Sequence, residues 1–330
     1  MFKFNFEEVS VRKAINIALK EEMLHDKKVF LIGEEVGLFN GAYKVTEGLL
    51  GFFGSMRVID SPINENGFCG LAIGASLIGI KPIVEFMTWS FSYVAFDQII
   101  NTAANLRYMS GGQINIPVVF RGPANGGVGV GSTHSHTPHN LYSTVPGLKI
   151  VSPSNAYDAK GLLKSSVRDL DPVCFLEHTV TYNRLGLVSS ASYFIPLGKA
   201  NIKLVGKDIT LISYSNTLNL CLEASLFVKK VYGVSVEVID LRTIRPLDEL
   251  TILKSIVKTN KVILVEECKP FCSVSSFIGY LIQSKLFYYL DRPIKTVVSV
   301  DSPNIYSTPL EKKQIPNIKH LVSSILKTIY

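Results

Sequence analysis

No apolar run in this 330-residue sequence is long enough to span a bilayer, because Lys, Asn, Gln or Glu interrupts every candidate. Cysteine is scarce and odd in number. Cys69, Cys174, Cys221, Cys268 and Cys272 lie mostly inside apolar runs, which fits buried thiols in a reducing compartment and not a disulfide framework. Cys268 and Cys272 have no second Cys or His pair nearby, so a zinc site is rejected. Clustered basic charge is missing as well. The net charge is +7, yet the densest tracts are the pairs Lys27-Lys28, Lys229-Lys230 and Lys312-Lys313, without interleaved aromatics. That pattern is a solvated surface, and no nucleic-acid partner is expected. The opening Met1-Phe2-Lys3-Phe4-Asn5-Phe6-Glu7-Glu8 lacks a hydrophobic signal core and is too acidic for a presequence. The expectation is therefore an intracellular protein with no membrane association. Its compartment would be a bacterial cytoplasm, or an organelle matrix for the mature form of an imported chain.

What is present fits a globular enzyme: 47% hydrophobic residues and a mean hydropathy of +0.26, which points to large buried surfaces. The length suggests about two domains, each able to bury its own core. Apolar positions at helical spacing (Val11, Ala14, Ile15, Ala18, Leu19) follow the N-cap candidate Ser10, and a short strand Val29–Ile32 comes next. Strands over Arg57–Asp60, Lys81–Trp89, Ile116–Pro123, Gly147–Pro153 and Pro172–Glu177 alternate with helices, including a long one from Phe91 to Met109. This βαβα order predicts an α/β fold with a parallel, helix-covered sheet. The mixed, polar stretch 182–207 holds a linker, set at 191–207, between domains 1–190 and 208–330. The second domain repeats the alternation, with strands at 209–214, 234–240, 261–267 and 294–300. Few of its residues look catalytic, and Glu266-Glu267 ends one strand without an obvious partner.

The chain turns on Ile59-Asp60-Ser61-Pro62-Ile63-Asn64-Glu65-Asn66-Gly67. Pro62 restricts its own φ and that of Ser61, so Glu65 sits in a defined strand-to-helix connection. Ligands of α/β proteins bind at such connections; equally, Glu65 could be a first-turn acid favoured by the helix dipole. Glu34-Glu35, after the Val29–Ile32 strand, could be catalytic carboxylates or a polar loop. The Gly126–Gly131 run superficially matches a dinucleotide fingerprint, but it leads into a polar loop and not into a helix. In that loop His134, His136 and His139 have no acidic or Cys partner close by, so a substrate-facing histidine is more economical than a metal.

An ordered series of motifs then becomes informative: Gly33-Glu34-Glu35-Val36, Gly41-Ala42-Tyr43-Lys44-Val45, Asp60–Phe68, Glu85-Phe86-Met87-Thr88, Tyr108–Gly112, Phe120-Arg121-Gly122-Pro123, Thr133-His134-Ser135, Pro146–Lys149 and Leu241–Pro246. From about Ser10 to the C-terminus the chain closely resembles the beta subunits of the pyruvate dehydrogenase first component. These are thiamine diphosphate-dependent 2-oxo acid dehydrogenases of the transketolase-like superfamily. The resemblance implies a thiamine pyrimidine-binding domain followed by a transketolase C-terminal domain. It implies that Glu65 is the proton relay to the cofactor's aminopyrimidine, that Phe91 packs on the pyrimidine with Met87 along the same wall, and that His134 handles protons as the acyl group passes to a lipoyl arm. It further implies a structural potassium ion near Val118, Ser166, Val167, Asp169 and Asp171, held largely by backbone oxygens. Asp291 resembles a carboxylate that meets the acyltransferase core. The family holds diphosphate and magnesium with a Gly-Asp-Gly stretch, and this sequence has none. The implied solution is an alpha2beta2 heterotetramer, with magnesium held by the alpha subunit and the cofactor shared, working with a dihydrolipoyl acyltransferase core and its lipoyl domain. The sequence departs from the family pattern at His136 (usually Gln), Val94 (Gln in related chains) and Cys268-Lys269-Pro270 (usually Gly-Trp-Pro or similar). The implied reaction is oxidative decarboxylation of pyruvate with transfer of the acetyl group, supplying acetyl-CoA. The alternatives are the beta subunit of a branched-chain 2-oxo acid or acetoin dehydrogenase, and a mainly structural core-docking subunit.

Overall fold

A computed structural model describes residues 5–124 and 126–330, so the first four residues of the opening segment read above lie outside it. The chain divides into two compact units. One gathers the chain up to Ala124 together with Leu141–Leu197; the other gathers the loop ending at Asn140 together with Gly198–Tyr330.

In the first unit, strands β1 (Phe6–Ser10), β2 (Val29–Gly33), β3 (Val58–Asp60), β4 (Lys81–Glu85), β5 (Val119–Ala124), β6 (Lys149–Val151), β7 (Val173–His178) and β8 (Leu185–Ser189) follow in chain order. Six of them form a sheet in the order β6-β7-β5-β4-β2-β3, every pair within it parallel. Parallel neighbours need helical crossovers, and helices cover the sheet as the alternation predicts. Ahead of the short helix α2 (Leu49–Phe53), helix α1 (Val11–His25) starts on Ser10, whose hydroxyl accepts from the Lys13 amide at 3.3 Å. Its buried face (Ala14, Ile15, Ala18, Leu19) packs on the helix Ala156–Val167. Buried Lys160 and Lys164 of that helix pair with Glu21 of α1, which settles two charges inside the contact. Strands β1 and β8 stand apart as an antiparallel ribbon, with Phe6 opposite Ser189 and Ser10 opposite Leu185.

The segment Phe91–Met109 is not the single helix its spacing predicts. It runs as a tight 3-10 turn (Phe91–Ala95), a wide π turn (Gln98–Ala103) and an α-helix (Ala104–Met109). The wide turn frees carbonyl groups, and the Asn105 amide donates to those of Ile100 and Asn101 at 2.9 and 3.3 Å.

The second unit has a sheet ordered Lys295–Val297, Val262–Val265, Ile209–Ser213, Val236–Asp240, Asn201–Leu204. Its strands are parallel except Asn201–Leu204, an antiparallel edge drawn from the stretch expected to be a linker. Helices Thr217–Tyr232 and Ile318–Ile329 pack together over it and share its apolar core. Among the described residues no helix is long and apolar enough to cross a membrane.

Candidate active site

Several acidic residues of the first unit, Glu34, Asp60, Glu65 and Glu85, lie at or just past the carboxyl ends of β2, β3 and β4. After β3, both oxygens of Asp60 accept backbone amides, from Gly37 at 2.5 Å and Leu38 at 2.9 Å, so the β3 end holds the loop that follows β2. The Ser61 amide donates to the Gly33 carbonyl at 2.9 Å. Asn64 then caps helix α3 (Glu65–Leu77), its side-chain oxygen accepting from the Gly67 amide at 2.9 Å. Glu65 is therefore the first residue of a capped helix, and it is only 6% exposed. No hydrogen bond within the described residues reaches its carboxylate.

Glu34, just past β2, is equally buried, and its Oε1 has no partner among the described residues. Burial, with the nearby charge of Glu65 adding to it, pushes the Glu34 carboxyl up to about 7. Burial and the same Glu65 charge push the Cys69 thiol, one turn along α3, well above its usual value. The site thus holds two buried carboxyl groups without a cation between them. Such a pair suits a group that brings hydrogen-bond donors.

Met87 and Phe91 follow β4 and are half-buried, and the turn Phe91–Ala95 packs against α3, so the Glu65 helix and the expected pyrimidine wall are neighbours. Behind them Phe86, Trp89 and Tyr142 are buried, with Trp89 5.3 Å from Phe86 and 5.2 Å from Tyr142 between ring centroids. Val94, one of the departures from the family pattern, is 59% exposed.

Sequence reading does not foresee the ion cluster beneath. Arg121 is fully buried and holds Glu177 bidentately, through Nε and Nη2 at 2.5 Å each, while its Nη1 donates to Glu85. Tyr182 donates to Glu177 at 2.7 Å. Burial alone would lower the Arg121 pKa, but Glu177 and Glu85 outweigh it and hold the guanidinium above its usual value. The loop after β2 closes over this cluster at Gly41, whose φ is +77° and where a Cβ would lie 2.9 Å from Glu85 Oε1. The signal available beforehand is charge at three strand ends, Glu85, Arg121 and Glu177, inside otherwise apolar runs.

The five residues of the expected potassium site come together in one corner of this unit. The Val118 carbonyl accepts from the Val173 amide at 3.0 Å, and that of Ser166 from the Asp169 amide at 3.2 Å. Lys149 holds Asp169 at 2.6 and 2.7 Å and reaches Asp171 at 3.1 Å, and Arg107 also donates to Asp171. Both carboxylates are already compensated by protein cations. The donor set left for an ion is backbone oxygen, which suits a hard cation.

In the second unit His134 is exposed on its loop, with Nδ1 2.9 Å from the Thr133 hydroxyl. His136 is half-buried, and burial, Lys269 and His134 together lower its pKa. His139 is buried against Tyr214, 5.1 Å between ring centroids. The structure does not bring Glu65 and His134 into one unit. Glu266, without an obvious partner in the sequence, accepts from the Tyr214 hydroxyl at 2.5 Å and the Ser275 amide at 2.7 Å. Asp291 is exposed and paired with Lys261 at 3.1 Å. Among the described residues no group of three or more His, Cys, Asp or Glu side chains is placed to hold a metal ion.

Comparison with known proteins matches both halves of the chain. Residues 7–184 match the family model described as transketolase, pyrimidine binding domain, and residues 198–321 match transketolase, C-terminal domain. Pyruvate dehydrogenase E1 component subunit beta of Rickettsia conorii is 45% identical over 323 residues, covering 98% of this chain and 99% of that one. The mitochondrial subunit beta-1 of Arabidopsis thaliana is 45% identical over 328 residues, covering 98% and 90%. This chain belongs to the pyruvate dehydrogenase E1 beta-subunit family. The fold is also that of a solved split-gene transketolase described as an inactive beta4 tetramer, with a TM-score of 0.79 at 19% identity over 97% of this chain and 98% of that one.

Proposed function

We propose that the chain is the beta half of a pyruvate dehydrogenase that works with thiamine diphosphate, and that it is active only beside an alpha subunit. The observation that carries this reading is Glu65: a buried carboxylate, first in a capped helix at the carboxyl end of a parallel sheet, with no hydrogen-bond partner of its own. Such a group is complementary to a ring nitrogen that must be held and protonated. When bound, the cofactor supplies a carbanion and an electron sink.

The residues of this chain then divide the remaining work. Glu65 holds a proton at the pyrimidine ring nitrogen. Phe91 and Met87 give that ring an apolar wall, which fixes its orientation. Glu34, poised near neutrality, takes or returns a proton beside Glu65. The Arg121 cluster keeps the strand ends rigid so that these groups stay in register. His134, on its exposed loop, meets the acyl acceptor and handles its thiol proton.

The absence of Gly-Asp-Gly supports placing the diphosphate and magnesium on an alpha chain, in an alpha2beta2 assembly. Asp291 would face the acyltransferase core. A potassium ion, if held, would use the backbone oxygens of Val118, Ser166 and Val167, since Asp169 and Asp171 are occupied by Lys149 and Arg107. The compartment would be a bacterial cytoplasm or an organelle matrix.

The test is co-expression with the alpha partner of the same genome, measuring decarboxylation of pyruvate and 3-methyl-2-oxobutanoate with and without thiamine diphosphate. Thiamine-dependent turnover of pyruvate only when both chains are present is expected. Preference for the branched acid would move the protein to the sister complex, and a folded, cofactor-loaded tetramer without turnover would sink the catalytic reading.

A further inference from the structure

The second unit clamps its histidine loop at several points, two of them at Asn304. The Gly126 amide donates to Glu267 Oε1 at 3.2 Å, and the Gly129 amide to Glu311 Oε2 at 2.8 Å. Further along, the Ser132 hydroxyl donates to the Asn304 carbonyl at 2.7 Å, and the Asn304 amide donates to the Ser135 carbonyl at 2.9 Å. Asn304 thus brackets His134 from both sides. What fixes Asn304 is Lys269, whose ammonium donates to Asn304 Oδ1 at 2.6 Å. The neighbouring Cys268 thiol reaches the Thr137 carbonyl at 3.8 Å.

We propose that Lys269 is a positioning residue for the acyl-transfer step: through Asn304 it fixes the loop that presents His134, and it is the cation that His136 faces. The proposal rests on the reading of His134 given above. The charged and titratable groups around the pair are His134 beside His136, and Cys268, Glu267, Asp301 and Glu311 beside Lys269. Burial first, and then the Lys269 ammonium and His134, disfavour a positive charge on His136 and lower its pKa. A loop held at both flanks also keeps His134 from sampling orientations that miss an incoming thiol.

The test uses the assembled alpha–beta enzyme carrying Lys269→Met, Lys269→Arg or Asn304→Leu. Decarboxylation is read with ferricyanide as electron acceptor, and acetyl transfer is read with a free lipoyl domain. For Lys269→Met we expect acetyl transfer to fall by about tenfold or more while ferricyanide-coupled turnover stays within about twofold of wild type. His136, titrated by C2 hydrogen–deuterium exchange, should take up its proton at higher pH in that variant. Lys269→Arg should restore both readouts. Asn304→Leu should lose transfer while His136 still titrates low, because the cation remains. Wild-type transfer rates in Lys269→Met, or an unmoved His136, would overturn the proposal. The titration needs no turnover, so it tests the placement of Lys269 beside His136 even in an assembly inactive on pyruvate, an outcome that would overturn the functional reading itself.

Discussion

At the scale of single residues, the molecule places carboxyl groups where no cation compensates them. Pro62 and the glycines after it mark a sharp strand-to-helix connection in the sequence, but local pattern leaves Glu65 open between a ligand-facing carboxylate and a first-turn acid, and the resemblance is what singles it out. Replacing it by glutamine in an assembled enzyme should cut thiamine-dependent decarboxylation by about a hundredfold or more, with the tetramer intact by sedimentation. Retained full activity would remove Glu65 from the mechanism. Glu34 was legible only as one of an adjacent acidic pair; its distinction from Glu35 comes from burial beside Glu65, which the sequence does not display. Its carboxyl titrates higher in the folded protein, at about 7 against an ordinary 4.5, so the folded state binds more protons than the unfolded state between those values. Stability from this group is therefore fully present below about pH 4.5 and is lost as pH rises through about 7. In the cofactor-free protein, Glu34→Gln should raise the melting temperature at pH 8 and flatten its decline between pH 5 and 8. An unchanged melting profile would contradict the burial argument.

At the scale of elements, strand ends carry what local pattern reading misses. Arg121 meets Glu85 and Glu177 across 36 and 56 residues of sequence, a separation at which spacing rules say nothing. The charges were visible, but their convergence depends on which strands become neighbours. Arg121→Met would leave two carboxylates buried without a counter-ion, and we expect a loss of about 3–5 kcal/mol in denaturant unfolding. A loss below about 1 kcal/mol, the size of a surface pair, would mean the cluster is solvated. The segment Phe91–Met109 teaches a related point. Its apolar spacing matched one helix face, but the wide turn fits an extra residue into its loop and shifts the register, and Ala103 and Ala104 are both buried. Gly147 packs against this junction, with φ +91° and a would-be Cβ 2.1 Å from the Ala104 carbonyl oxygen. Gly147→Ala should destabilise by about 2 kcal/mol or more, read as a melting point lowered by several degrees. A neutral result would mean the helix can slide away.

At the scale of the whole molecule, the two α/β halves and most of their strands were legible, because alternating apolar runs and helical spacing survive translation into three dimensions. The grouping of the histidine loop with the C-terminal half was not, since it depends on Asn304, Glu267 and Glu311, far along the chain. Asp291 belongs to this scale too, because its meaning depends on assembly. Asp291→Lys should leave decarboxylation by the isolated alpha–beta enzyme unchanged and weaken its co-sedimentation with the acyltransferase core. Normal co-sedimentation would return Asp291 to an ordinary turn, held by Lys261.

The ribbon of β1 and β8 has a consequence for handling the protein. β8 carries Leu185 and Leu187, both more than half exposed, and β1 is the strand that caps its backbone. A chain shortened to begin at Val11 would keep the parallel sheet intact but uncover a row of free amides and carbonyls beside exposed leucines. Such an edge is a template for another chain to add to. Shortened preparations should therefore form concentration-dependent aggregates while retaining native helix content, and a lysine in place of Leu187 should restore their solubility.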